Sequence, residues 1–366
     1  MKRFKPVSFL LALCLISNVE SAATVHKTTI DGIDYTIHYI GSDHLNYAVV
    51  TGASCSGAVT IPDTIKHSDY YDGNYSQNKP FAVREIGDYA FSNKTNITSV
   101  TISKNVRSIG YNAFYGCSGL NSIVVDDSNK TYDSRYNCNA IIKKSSKELV
   151  VGCNNTIIPS DITSIGNYAF YNCIGLSSIV IPKSLTKIGS QAFRGCTGLS
   201  SIIVESENTI YDSRDNCNAI ISTSDNNLII GCKNTAIPNT VTSISSFAFD
   251  GCDELTGITI PQSITSLTPS SFYCCKNLVS ITVESGNSKY DSRDNCNAII
   301  ETSSNSLIFG CKNTTIPSTV TSIGQWAFQY CVGLESIIIP NTVTSIGEYN
   351  QEIKGETNVE IIPVSA

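Results

Sequence analysis

The sequence predicts a β-rich repeat protein, a solenoid of about eleven strand units with a β-hairpin cap at its amino-terminal end. Two regularities predict it. A 23-residue skeleton recurs along the chain and is clearest at 176–198, LSSIVIPKSLTKIGSQAFRGCTG. The run YDSRDNCNAII stands at 211–221 and 290–300, and at 132–142 with Tyr136 in place of Asp, 79 residues apart each time. A unit this short cannot bury its apolar face alone, so the units must stack.

Taken in order, residues 1–23 carry Lys2, Arg3 and Lys5 ahead of an apolar run from Val7 to Ile16, followed by small residues at Ser21 and Ala23. This is the grammar of a secretory signal peptide, whose apolar part is too short to span a bilayer. Lipid attachment through Cys14 is disfavoured by the bulky Leu13 before it. Residues 24–55 read as a β cap, with TTIDGIDYTIHYI and NYAVVTG as its strands. Residues 56–347 hold the solenoid, and 348–366 form a carboxy-terminal cap or tail in which NVEIIPV closes the stack. No later stretch reaches the length of a membrane span. The mature chain is therefore expected to be secreted or held at a cell surface.

The units begin at Ser56, Ile97, Leu120, Cys153, Leu176, Leu199, Cys232, Leu255, Leu278, Cys311 and Leu334. Most intervals are 23 residues, but those from Leu120, Leu199 and Leu278 are 33. Within the unit at 176–198, Ile179 and Ile181 point to one face of a strand and Val180 to the other. Pro182 ends the strand because it has no N–H to give a ladder. Gly189 marks a turn, after which Ala192, Phe193 and Cys196 supply further inward contacts. Eleven rungs at about 4.8 Å make a stack of roughly 50 Å, whose open edges need covers. The interval of 41 from Ser56 contains HSDYYDGNYSQNKP, expected to be a surface loop.

The grammar of IPSDITSIGNYAFYNCIGL and IPSTVTSIGQWAFQYCVGL resembles the BspA-like leucine-rich repeat family of exported bacterial proteins. The interposed YDSRDNCNAII blocks resemble members from gut and oral anaerobes. The resemblance runs from about Thr28 to Gly347 and implies a leucine-rich-repeat solenoid with a role in surface adhesion or host-protein binding. It implies no catalytic residues. Some surface members carry an anchor or sorting domain after the repeats; none is visible here, which sets cell-wall attachment in question.

Of the 15 cysteines, Cys14 lies in the signal segment and twelve others fall into four columns of three. Cys117, Cys196 and Cys275, and Cys173, Cys252 and Cys331, sit beside the turn glycine and read as small buried thiols. Cys138, Cys217 and Cys296 are each followed 15 residues later by Cys153, Cys232 and Cys311, across a hairpin such as CNAIISTSDNNLIIGC. Two readings stand side by side: cross-strand disulfides, which export permits, or pairs of buried thiols. Zinc is disfavoured, because this spacing lacks a second close ligand pair.

The net charge of −6, with acids and bases interspersed, excludes the clustered basic surface that nucleic acid requires. His26, His38, His44 and His67 all lie near the amino-terminal cap at spacings that match no zinc motif. No nucleophile elbow, P-loop or dinucleotide fingerprint is present, so neither catalytic residue, metal nor cofactor is expected. Sequons at Asn74, Asn93, Asn96, Asn129, Asn154 and Asn313 matter only in a glycosylating host.

Two outward columns remain on the strands. One is a hydroxyl-and-amide stripe that includes Ser178, Ser201, Asn234 and Ser280; the other is a β-branched stripe that includes Val180, Ile203, Thr259 and Thr282. Such ladders stabilise sheets, and they also make an extended platform for a host or bacterial surface protein or glycan. In YDSRDNC, Asp291, Arg293 and Asp294 are expected to satisfy one another and the turn backbone, with Tyr290 against the stack. Its functional alternative is a row of repeated contacts at Arg135, Arg214 and Arg293. The chain thus reads as an exported, non-enzymatic binding scaffold. A structural surface-layer or spacer protein is the alternative, ahead of an enzyme or inhibitor with a site at the amino-terminal cap.

Overall fold

The structure, a computed structural model, describes residues 24–39, 46–71, 74–329, 331–350 and 360–363. The expected signal segment and His44 lie outside the described residues. β1 (Thr24–Ile30), β2 (Ile33–Tyr39) and β3 (Tyr47–Ala53) form an antiparallel meander. Asp31 and Gly32 join the first two strands with φ of 51° and 73°, the two-residue turn whose twist matches paired strands. After β4 (Gly57–Ile61), the chain forms an antiparallel hairpin of β5 (Thr64–Tyr71) and β6 (Asn74–Ile86). This differs from the surface loop expected at HSDYYDGNYSQNKP. Tyr70, Tyr71 and Tyr75 favour extended backbone, and Tyr70 pairs with Tyr75. β3 then pairs in parallel with β6, joining the meander to the repeats.

The repeats build two parallel ladders. In the first, β4 is followed by β7 (Ile97–Ile102) and β9 (Ser122–Val125). Further along, Ser178–Ile181 pairs with Ser201–Val204, Gly257–Ile260 with Ser280–Val283, and Ser336–Ile339 with Glu360–Pro363. The second ladder is made of two-residue rungs, starting with the end of β6 against β8 (Ser108–Ile109). The 33-residue units lay their hairpins into this ladder. Glu148–Val151 pairs antiparallel with Ile141–Lys143 on one side and parallel with Ser164–Ile165 on the other.

The count of about eleven strands in one ladder needs correction. The units beginning at Cys153, Cys232 and Cys311 form turns where the first ladder would have a strand. In CKNT, Thr235 Oγ1 accepts from Cys232 N at 2.8 Å and donates to Asn218 O at 2.7 Å. Thr156 and Thr314 repeat the arrangement. Asn and Thr offer the backbone local partners in place of a ladder, and Ala236 N bonds Cys217 O in the insert at 3.1 Å.

The core is a column of aromatic rings lying along the stack. Phe91 stacks on Phe114 at 5.1 Å, Phe170 on Phe193 at 4.9 Å and Phe249 on Phe272 at 5.3 Å. Beside them, Cys117, Cys196 and Cys275 donate to the carbonyls of Phe91, Phe170 and Phe249 at 3.0 to 3.1 Å. Where a 33-residue unit enters the column, a glycine stands instead. A Cβ on Gly152, Gly231 or Gly310 would lie 2.2, 2.3 or 2.5 Å from the ring of Phe170, Phe249 or Phe328.

Gly231→Val should therefore destabilise by about 1–3 kcal/mol, the cost of overpacking a filled core. Gly257→Val makes the control: its nearest neighbour is Ser280 Cβ at 3.6 Å, on the open strand face. Denaturant titration should lower the midpoint for the first variant and leave the second near the parent.

Candidate binding surfaces

On the first ladder, side chains alternate as the strand period requires. Ile179, Ile181, Ile202 and Val204 are buried, while Val180 and Ile203 are 49% and 52% exposed. Pairing sets Ser178 beside Ser201 and Val180 beside Ile203. It likewise sets Gly257 beside Ser280 and Thr259 beside Thr282. The structure thus brings the expected stripe residues together in two patches, not in one continuous face. Asn234 lies between them on the CKNT turn, and its carbonyl accepts from Asn218 Nδ2. Beside this break, Thr235, Ala236, Thr259, Ser280, Thr282 and Glu284 line an open groove of about 360 Å3.

The three YDSRDNC blocks fold alike. Arg214 holds Asp212 in a two-pronged pair, Nε to Oδ1 at 2.8 Å and Nη2 to Oδ2 at 2.6 Å. Its remaining nitrogen reaches Asn226 Oδ1 at 2.8 Å and Thr240 Oγ1 at 3.2 Å. Arg293 repeats this on Asp291, Asn305 and Thr319, while Arg135 grips Asp133 and Asp161. Ser134, Ser213 and Ser292 each accept from the end of the preceding strand at 2.9 Å, and Tyr132, Tyr211 and Tyr290 are buried. Asp294 takes a left-handed turn position, φ 58°; the hydrogen-bonded Asp291 raises the pKa of Arg293 most, and the charge of Asp294 adds to it. Just upstream, the buried Asn129 and Asn208 and the half-buried Asn287 each donate to two carbonyls of the preceding unit and accept from two amides of their own turn. The signal that was missed is their place in the repeat: each stands three residues before the tyrosine of its block, 79 residues from the next.

The hairpin cysteines are placed apart. All cysteines from Cys55 to Cys331 carry free thiols. Cys232 donates to Asn218 O at 3.3 Å and packs with the second repeat's core, whereas Cys217 packs with the third. Cys153 and Cys138, and Cys311 and Cys296, divide in the same way. A bulge between Ile220 and Ile221 shifts the register to set Ile220 opposite Ile230, and just beyond that pair Cys232 meets the carbonyl of Asn218, one residue past Cys217. Burial pushes the thiols of Cys138, Cys217 and Cys296 up to about 11, keeping them protonated and unreactive. At the cap, His38 stacks on Tyr47 at 4.9 Å, and burial lowers its pKa. No group of three or more metal-ligating side chains occurs among the described residues.

The turn edge carries a surface that the columns of the strand face did not reveal. Tyr89, Tyr168, Phe247, Trp326 and Tyr349 all hold left-handed backbone, φ 55° to 64°, costly for bulky side chains. Tyr115 and Tyr171 stack at 3.7 Å, and Tyr111 meets Tyr168 edge to face at 6.2 Å. Arg194 lies over Tyr171, Phe247 and Tyr273. Its Nε is 2.8 Å from Asp250 Oδ2 but off the hydrogen-bonding line; burial raises that carboxyl to about 6. The signal was the aromatic before Ala-Phe in GDYAF, GNYAF, SFAF and GQWAF.

Replacing Arg135, Arg214 and Arg293 together with Ala should cost about 1 kcal/mol per site, since two-pronged, half-buried pairs lie at the upper end for ion pairs near a surface. Thermal unfolding should show the loss. Binding of any captured partner below the new melting point should stay unchanged.

The family profile described as the BspA type Leucine rich repeat region matches in 6 copies, over residues 63–147, 149–229, 226–308 and 298–352. No curated protein matches the chain. Among solved structures, a leucine rich cell surface protein from Faecalibacterium prausnitzii is 24% identical, with 94% of this chain and 97% of that one covered and a TM-score of 0.48. A leucine-rich repeat protein from Eubacterium ventriosum is 21% identical, with 94% and 86% covered and a TM-score of 0.44. The pneumococcal vaccine antigen PcpA is 18% identical, with 92% and 70% covered and a TM-score of 0.36. With the family profile matched across most of the repeats, the chain belongs to the BspA-type leucine-rich repeat family.

Proposed function

We propose that this chain is an exported, non-enzymatic binding scaffold that recognises a protein or glycan of a host or bacterial surface. The observation that carries this reading is the pair of open patches on the first ladder, where small polar and β-branched side chains stand outward in register. Val180 and Ile203 spend half their surface in water although the fold offers them no cover. Exposed apolar groups rimmed by hydroxyls and amides, with little charge, suit a partner that brings both apolar contact and hydrogen bonds. Among the described residues no helix is long and apolar enough to cross a membrane. The signal-peptide grammar of residues 1–23 supports export, and the family supports a place at the cell surface.

A pull-down with residues 24–366 from host secretions and bacterial surface extracts should capture a partner. Substituting Val180, Ile203 and Thr259 with Lys should weaken that capture at least tenfold without moving the melting temperature. Capture unaffected by the three lysines would place recognition on the inserts or the turn edge. Self-association without any captured partner would favour a surface-layer or spacer protein.

A further inference from the structure

Each 33-residue unit adds a rung to the second ladder but no Ala-Phe turn of its own, so the turn column skips one rung at 148–152 and again at 227–231. A cleft is left at each gap. The first has a volume of about 220 Å3; its floor is Phe114, Val150, Val151 and Gly152, and it is flanked by the stacked Tyr115 and Tyr171. The second, 79 residues on, has about 230 Å3, with Phe193, Ile229, Ile230 and Gly231 below and Arg194 and Asp250 beside it.

At the third gap the chain supplies its own occupant. Phe309 stands where the earlier repeats carry Val151 and Ile230, and its ring stacks on Phe272 at 5.1 Å. Phe272 is accordingly 1% exposed, against 7% and 6% for its counterparts Phe114 and Phe193. The protein thus records that this space, once its aliphatic side chain is exchanged, takes one aromatic ring against the end of a phenylalanine pair. Volume agrees, since an apolar cavity of about 150 Å3 is enough to bind benzene.

We infer that the two open clefts are anchor sites for aromatic side chains of a partner polypeptide, one ring to each cleft. They share one edge of the stack and lie three rungs apart, roughly 14 Å at the spacing of paired strands. An extended segment places two of its side chains at that separation. Asn112, Asn167, Ser190, Gln191, Ser245 and Ser246 border the clefts and offer hydrogen bonds to a peptide backbone. Aromatic side chains seated in a pocket behind a polar rim are the usual energetic centre of a protein interface. This surface is separate from the strand face, so it does not stand or fall with that patch.

The test is titration of the whole chain with N-acetylphenylalaninamide, followed by the methyl resonances of Val150, Val151, Ile229 and Ile230. Saturable shifts are expected in both pairs, and none with N-acetylglycinamide. Val151→Phe and Ile230→Phe should each abolish the shifts at their own cleft and spare the other, with melting temperature near the parent's because Phe309 already shows the exchange tolerated. Phe309→Val should open a third site, read at the Ile308 methyl, and this arm remains if a filled variant fails to fold. Absence of saturable shifts in the parent, shifts that persist in the filled clefts, or shifts with a neutral oligosaccharide alone would each overturn the inference.

Discussion

The fold depends on the column of stacked phenylalanine rings. A 23-residue unit has one short strand, a two-residue rung and a turn, too little to stand alone. Its aromatic ring joins it to the next unit, and burying such a ring contributes roughly 1.5–3 kcal/mol. The cysteine thiols fix the turns to the same column by donating to the phenylalanine carbonyls of the unit before. The spacing of rings therefore governs where every other element can lie.

The longer units solve a problem set by that column. A hairpin that enters it must bring a rung without a competing side chain, and Gly152, Gly231 and Gly310 meet that need. The asparagines then tie each hairpin to the unit before it, and Arg214 and Arg293 reach Thr240 and Thr319 of the unit after it. A charged sequence that looks catalytic is thus occupied with its own turn. The same geometry leaves gaps in the turn edge, two open and one filled by Phe309, so a structural insertion also creates surface features at a fixed period.

Much of this was legible because the repeat is strong. The alternation of Ile179, Val180 and Ile181 gave the strand and its faces, and the repeated motif correctly pointed to Tyr290 against the stack. The breaks were harder to see. CKNT occupies the leucine column by count, but its hydroxyl and amide groups favour a turn, a competition that periodicity does not weigh. The hairpin register was read to within one residue, and a single bulge was enough to separate Cys217 from Cys232. The candidate stripe was found residue by residue, yet its division into patches follows from those same turns. The aromatic edge escaped because only the Ala, Phe and Cys of the turn were assigned a direction; the residue before Ala-Phe was not, and left-handed backbone leaves Tyr89, Phe247 and Trp326 exposed.

The central claim is that the three inserts are integral parts of the stack. Native-state hydrogen exchange tests it most directly, because the amides of Val204 and Tyr211 donate to the Ser213 and Asn208 side chains of the insert region. The account predicts that these amides exchange as slowly as those of residues 201–203 in the neighbouring strand and open with them in one cooperative step. Rapid exchange at Val204 and Tyr211 while residues 201–203 stay protected would contradict it.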